Sequence, residues 1–252
     1  MKFTAQGYKN ITSTSKRTNK IATKKYFTEK FEKEKLTDCE FELFPISSIE
    51  NFPDILAQIK NLKGLAVTIP HKQAVIPFLT HLDFTAKEIG AVNCIKINGK
   101  KLSGYNTDAL GFKTSFEPLL QPQHNKALVL GTGGASRAVQ YVLKQLSIPF
   151  LLVSTSKKEK NCIGYNEVNK SILEEYYIII NCTPVGMLPN ETNFPDLPYA
   201  SLSAKHLLYD LIYKPAETQF LAKGKAKGCL TKNGFEMLLI QAEENWRIWN
   251  SD

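Results

Sequence analysis

Four apolar residues, Ala127-Leu-Val-Leu130, run directly into the turn Gly131-Thr132-Gly133-Gly134, and that turn opens directly into Ala135 to Leu146, whose apolar side chains recur at helical spacing. Phe150 to Val153 then supplies a second short apolar run, so the segment reads as strand, helix, strand: one βαβ unit of a parallel sheet. In that context glycine at 131 permits the tight turn, glycine at 133 lets backbone N–H groups approach a pyrophosphate, and Ala135 and Ser136 are small enough for close helix–strand packing. The plain alternative is an ordinary strand-to-helix turn. The favoured reading is a nicotinamide dinucleotide held at Gly131, Thr132, Gly133, Gly134 and Ala135 for redox chemistry on a small molecule.

An NAD site usually has an acid at the end of the second strand, to accept hydrogen bonds from the ribose 2′-hydroxyl. Here the residues are Ser154-Thr155-Ser156-Lys157-Lys158. Hydroxyls and ammonium groups suit a 2′-phosphate, which an acid would repel, so NADP(H) is the expected cofactor. A solvated loop is the alternative.

Elsewhere the elements are mixed. Glu40 to Phe44 alternates at period two as a half-solvated strand, Leu65 to Ile69 is a short strand ended by Pro70, and Asn98-Gly99 between two apolar runs signals a hairpin. Ile178 to Ile180 and Leu207 to Leu211 continue as buried strands, each expected to lead through a turn into helix, and Gly234 to Trp249 is an apolar helix. Residues 1 to 22 show no convincing apolar strand.

Lys72 follows the strand-ending proline in Val67-Thr-Ile-Pro-His-Lys72, at the expected start of a helix where its charge would oppose the dipole. A lysine so placed can exchange the proton that accompanies hydride transfer if a carboxylate orients it, and Asp108 is the candidate partner. Thr107 or Asp108 can equally be a helix N-terminal residue.

Composition narrows the alternatives. Net charge is +8, but seven of the 32 basic residues lie in the first 25 positions and the first acid is Glu29, so the remainder is near neutral and a nucleic-acid partner is not expected. Five irregularly spaced cysteines read as reduced thiols in a cytoplasmic protein, and neither they nor the four histidines form a metal pattern. No apolar run reaches the ~20 residues of a membrane helix.

Together the segments resemble the shikimate dehydrogenase family from about Lys24 to Gln241. The likeness rests on Val-Thr-Ile-Pro-His-Lys (67–72), Gly-Ala-Val-Asn (90–93), Asn-Thr-Asp-Ala-Leu-Gly-Phe (106–112), Gly-Thr-Gly-Gly-Ala-Ser-Arg (131–137), Asn-Cys-Thr-Pro-Val-Gly-Met (181–187), Tyr-Asp-Leu-Ile-Tyr-Lys-Pro (209–215) and Asn-Gly-Phe-Glu-Met-Leu (233–238) followed by Gln241. The resemblance implies NADPH-dependent reduction of 3-dehydroshikimate to shikimate in aromatic amino acid biosynthesis, by an oxidoreductase acting on a CH–OH group. It implies Lys72 and Asp108 as the catalytic pair, and Thr68, Asn93, Asp108, Tyr213 and Gln241 on the substrate. It further implies Leu211 and Gly234 at the nicotinamide end and Ser154 to Lys158 at the adenosine phosphate.

Two positions depart from the family pattern. Thr155 stands where an arginine commonly stacks on adenine, with Lys157 and Lys158 as substitutes. Lys20-Ile-Ala-Thr23 stands where relatives carry a Ser-x-Ser element for the substrate carboxylate. Only Thr23 keeps a hydroxyl there, and Ser13 and Ser15 lie farther upstream. The abrupt onset of resemblance reads as a start that is not the ordinary family sequence, as a reading-frame change or misassigned start would produce.

The expected architecture is α/β throughout: an N-terminal α/β substrate domain (1–109 with 234–252) and a doubly wound Rossmann-type NADP-binding domain (110–233), acting as monomer or homodimer without membrane or metal. A quinate-type dehydrogenase of the same family, or a catalytically impaired NADP-binding relative, is the alternative.

Overall fold

In the computed structural model, residues 6–13, 19–59, 61–156 and 161–251 are described. The chain divides into two compact units, residues 1–108 with 239–252 and residues 109–238. Their elements in chain order are β1 (Gln6–Ser13), α1 (Asn19–Lys33), β2 (Cys39–Ile46), α2 (Phe52–Gln58), β3 (Leu62–Val67), β4 (His81–Leu82), α3 (Phe84–Ile89), β5 (Cys94–Asn98), β6 (Lys101–Tyr105), α4 (Asp108–Phe116), β7 (Ala127–Leu130), α5 (Gly134–Gln145), β8 (Phe150–Val153), β9 (Cys162–Ile163), α6 (Lys170–Glu175), β10 (Ile178–Asn181), β11 (Leu207–Asp210), α7 (Gln219–Lys225), β12 (Leu230–Lys232) and α8 (Phe235–Asn250).

The first unit is built on a mixed sheet of order β2-β1-β3-β5-β6-β4. β1 lies parallel to both β2 and β3, whereas β3, β5 and β6 pair antiparallel through the expected hairpin, whose Gly99 takes a positive φ of 58°. On one side of this core, Phe27 stacks on Phe41 with centroids 4.5 Å apart, and Trp249 of α8 packs beside both. Gly64 is required there. A Cβ on it would fall 2.2 Å from the Trp249 ring, whose Nε1 donates to the Ile95 carbonyl at 3.1 Å.

β1 corrects the reading of residues 1 to 22 as lacking a strand. Gln-Gly-Tyr-Lys-Asn-Ile-Thr-Ser carries little apolar character, yet its backbone pairs along its full length with β2 and along Gly7 to Ile11 with β3. Long-range pairing defines this strand, and no local pattern announces it. α1 likewise begins at Asn19, upstream of the point where the family resemblance sets in.

The second unit is an all-parallel sheet of order β12-β11-β10-β7-β8-β9. Counted from β7, that is the 3-2-1-4-5-6 order of a doubly wound sheet, with its reversal between β7 and β10. Every residue of β7, β10 and β11 is buried, as expected of strands covered on both faces. The expected helix after β10 is absent. Pro184, Pro189, Pro195 and Pro198 interrupt residues 182–206, which cross to β11 as a long loop with one 3₁₀ turn at Tyr199–Ser201. α4 and α8 both run across the division between units, and Gly234 is seated against the Leu211 backbone just before α8 begins.

No helix among the described residues is long and apolar enough to cross a membrane, and no cluster of His, Cys, Asp and Glu there could hold a metal ion. All five cysteines are free.

Candidate functional site

In the first unit, Lys72 and Asp108 meet. Lys72 Nζ lies 2.6 Å from Asp108 Oδ2, and both side chains are nearly enclosed, at 12% and 9% exposure. The expected helix at Lys72 does not form. Pro77 has no N–H for such a helix, and residues 69–75 are turns followed by a single 3₁₀ turn at Ile76–Phe78. Lys72 is instead anchored through its backbone, whose carbonyl accepts from Val92 N–H at 2.7 Å. Asp108 opens α4, where the exposed N–H groups of the first turn favour a carboxylate.

Asn93 joins this pair to α8. Its Nδ2 donates to Asp108 Oδ1 at 2.9 Å and to Thr107 Oγ1 at 2.9 Å, with Gln241 Oε1 at 3.4 Å. Its Oδ1 accepts from Thr107 N–H at 2.7 Å. Asn245 completes the network: Thr107 Oγ1 donates to its Oδ1 at 2.7 Å, and its Nδ2 donates to Gln241 Oε1 at 3.3 Å. The sequence reading missed Asn245. Its signal was a second amide four residues after Gln241, on the same stripe of an otherwise apolar helix.

Thr68 is half-buried immediately after β3, and its carbonyl accepts from His71 N–H at 2.9 Å. Thr23 is buried on α1. Ser13 ends β1 two residues beyond the Ile11–Val67 pair, so the parallel register puts its backbone at the same end of the sheet as Thr68. Ser15 lies outside the described residues.

In the second unit, Gly131 has φ 96°. A Cβ there would also fall 2.9 Å from Thr183 Cγ2, so two independent reasons demand glycine. Gly133 differs. Its backbone is extended, at φ −74° and ψ 179°, and a Cβ would meet no atom of the described residues within 4 Å. Nothing among the described residues requires glycine at 133, which stands at the N-cap of α5 with open space beside it. This fits an anion at the turn. The turn lies at the reversal of strand order, since Gly131 follows β7 and Thr183 follows β10.

At the end of β8, Ser154 is buried and its Oγ accepts from Ser156 N–H at 3.3 Å, while Thr155 and Ser156 are exposed. Lys157 and Lys158 lie outside the described residues. Leu211 and Gly234 touch: a Cβ on Gly234 would sit 2.3 Å from the Leu211 carbonyl oxygen, and Gly234 N–H donates to the Ile212 carbonyl at 3.1 Å. Burial pushes the Tyr213 phenol well above its ordinary value, so it is neutral.

A second buried carboxylate, Asp210 at the end of β11, was also missed. Its Oδ1 accepts from Asn181 Nδ2 at 3.0 Å and Ile212 N–H at 3.0 Å, and its Oδ2 from the Thr218 hydroxyl at 2.6 Å. Full burial raises it to about 7, against the lowering effect of these three donors. The signal for it was an acid inside a continuous apolar strand.

The strand order and the glycine turn at its reversal define the class, a doubly wound dinucleotide-binding α/β protein. Comparison with known proteins gives the family. Residues 20–95 match the family described as the shikimate dehydrogenase substrate binding domain. The NADP(+) shikimate dehydrogenase of Halothermothrix orenii is 41% identical over 209 residues, 75% of this chain and 72% of that one. Among solved structures, shikimate dehydrogenase from Aquifex aeolicus matches with TM-score 0.85 and 32% identity, over 98% of this chain and 92% of that one. Shikimate 5-dehydrogenase from Thermus thermophilus, in complex with NADP(H) and shikimate, matches with TM-score 0.83 and 26% identity, over 97% of this chain and 93% of that one. The chain belongs to the shikimate dehydrogenase family.

Proposed function

We propose that this chain catalyses the NADPH-dependent reduction of 3-dehydroshikimate to shikimate in aromatic amino acid biosynthesis, with the Lys72–Asp108 pair as its proton-transfer group. The observation that carries the reading is the enclosed cluster of Lys72, Asp108, Asn93 and Gln241, four polar side chains from four separate segments with their hydrogen-bonding groups brought to one place. Bound NADPH supplies the hydride. Lys72 donates a proton to the substrate oxygen as it becomes a hydroxyl, and Asp108 fixes the ammonium group and accepts from a neighbouring ring hydroxyl. Thr68, Asn93, Gln241 and Tyr213 bind the remaining hydroxyls, with Thr23 on the carboxylate side. An analogue lacking one hydroxyl would leave a buried polar partner unsatisfied, which is how such a site discriminates.

In this reading Gly131, Thr132, Gly133, Gly134 and Ala135 hold the pyrophosphate, and Ser154, Thr155, Ser156, Lys157 and Lys158 hold the adenosine phosphate. Leu211 and Gly234 line the nicotinamide. Residues 1–109 with 234–252 form the substrate domain and 110–233 the cofactor domain. Free thiols at all five cysteines suit a cytoplasmic enzyme, working as monomer or homodimer.

Spectrophotometric assay of NADP⁺ reduction by purified protein, with shikimate and quinate as alternative substrates and NAD⁺ as alternative cofactor, tests the reading. Turnover fastest with shikimate and NADP⁺ is expected. Measurable NADP⁺ binding without turnover of shikimate would overturn it.

A further inference from the structure

Asp210 is a costly residue where it stands. It is fully buried, no cation among the described residues touches it, and its three partners are neutral donors. A buried carboxylate without a counter-charge is costly unless its hydrogen bonds are satisfied, and a fully satisfied buried network holds its members in one arrangement.

Those bonds lead to the loop after β10, at the reversal of strand order, and to the segment after β11. Asn181 is the direct cross-strand partner of Asp210. Its Nδ2 is held by Asp210, so its Oδ1 faces Thr183 and accepts both the N–H at 3.0 Å and the hydroxyl at 2.6 Å. Thr183 Oγ1 in turn accepts from Val185 N–H at 3.2 Å. The methyl group of the same threonine presses on Gly131, the first residue of the glycine turn.

On the other side, Asp210 takes the Ile212 N–H and the Thr218 hydroxyl, and Thr218 caps α7 through Leu221 N–H at 3.4 Å. Ile212 lies between Leu211 and Tyr213, and its carbonyl holds Gly234. One carboxylate thus sets the backbone beside Gly131 and the backbone from Leu211 to Tyr213.

We infer that Asp210 is a positioning residue for dinucleotide binding, fixing the Cys182–Val185 loop against the glycine turn and the Leu211–Tyr213 segment against Gly234 in one arrangement. The inference rests on the reading of residues 131–135 as the dinucleotide site. Asp210 acts through Asn181, Thr183 and Ile212, and takes no part in proton transfer.

Three variants test it in steady-state kinetics, with thermal unfolding confirming the fold. Asp210→Ala removes all three acceptor bonds. Thr183→Val keeps the methyl against Gly131 and removes the hydroxyl. Both are expected to raise KM for NADP⁺ on the order of tenfold; KM for shikimate stays within about twofold in Thr183→Val and rises by about threefold in Asp210→Ala, which also releases the segment that carries Tyr213. Asp210→Asn retains Oδ1 for Asn181 and Ile212, lets Nδ2 donate to a reoriented Thr218 hydroxyl, and is expected to hold KM for NADP⁺ within about threefold.

A folded Asp210→Ala protein with unchanged KM for NADP⁺, or with both KM values raised alike, overturns the inference. Should Asp210→Ala fail to fold, Thr183→Val decides alone by the same criterion. Failure of the unsubstituted chain to bind NADP⁺ would instead remove the reading on which the inference rests, and the inference with it. Normal binding in the unsubstituted chain and in folded variants removes the inference only.

Discussion

Asp108 and Asp210 are both buried carboxylates, each bonded to an asparagine side chain, and they differ in their other partners. Asp108 faces the Lys72 ammonium at 2.6 Å, whereas Asp210 faces a threonine hydroxyl at the same 2.6 Å and has no cation among the described residues. A carboxylate held against a lysine side chain orients a proton carrier. With neutral donors only, burial dominates and raises the group to about 7. The first arrangement suits chemistry, and the second suits holding backbone in place.

The largest effect that would sharpen this contrast is on Lys72. Lys72→Ala removes the proton carrier and is expected to lower kcat for NADP⁺ reduction by about 10²- to 10⁴-fold, with NADP⁺ affinity by fluorescence titration unchanged. Retained turnover would remove Lys72 from the chemistry.

Next comes the pH dependence of stability. Asp210 is an acid whose value in the fold lies above its unfolded value near 4, so the folded chain holds a proton that the unfolded chain releases. Its contribution is therefore complete below about pH 4 and lost as pH rises through about 7. The titratable groups beside it, Cys182 and Tyr199, are both pushed far upward by burial and stay neutral across that window. The stability of Asp210→Asn relative to the unsubstituted chain should accordingly rise by about 2 to 3 kcal/mol between pH 5 and pH 8, measured by urea unfolding. A relative stability flat with pH would mean that Asp210 is ionised throughout.

Gly131→Ala should cost about 1 to 3 kcal/mol, because alanine resists φ 96° and its methyl would crowd Thr183. Gly133→Ala, at an extended backbone open to solvent, should cost well under 1 kcal/mol while weakening NADP⁺ binding. Equal destabilisation of the two would contradict the distinction drawn between them. The smallest effect is expected at the adenosine loop. Thr155→Arg supplies a planar guanidinium where the chain has an exposed hydroxyl, and should tighten NADP⁺ about three- to tenfold by titration and NAD⁺, which lacks the 2′-phosphate, by less.

The legible part of this molecule is the part whose signals are local. β7, the glycine turn, α5 and β8 follow from strand and helix periodicity over residues 127–153, and the structure places β7 and β8 on the expected residues. β1 was invisible because its identity lies in pairing with β2 and β3, not in its own polar composition. Helices expected after β3 and β10 gave way to prolines at 77, 184, 189, 195 and 198. Lys72 and Asp108 could be proposed as partners from residue chemistry and resemblance. Asn245 and Asp210 could not, since each is an ordinary polar residue in an apolar element until its neighbours across the fold are known.

Kinetics of Asp108→Asn and Asp210→Asn, run side by side at saturating shikimate and NADP⁺, test the central distinction most directly. Both substitutions replace a carboxylate by its neutral isostere at a buried site. The expected result is a fall in kcat of about 100-fold or more for Asp108→Asn and a kcat within about twofold of the unsubstituted chain for Asp210→Asn. Equal losses in the two variants, or normal turnover by Asp108→Asn, would contradict the account.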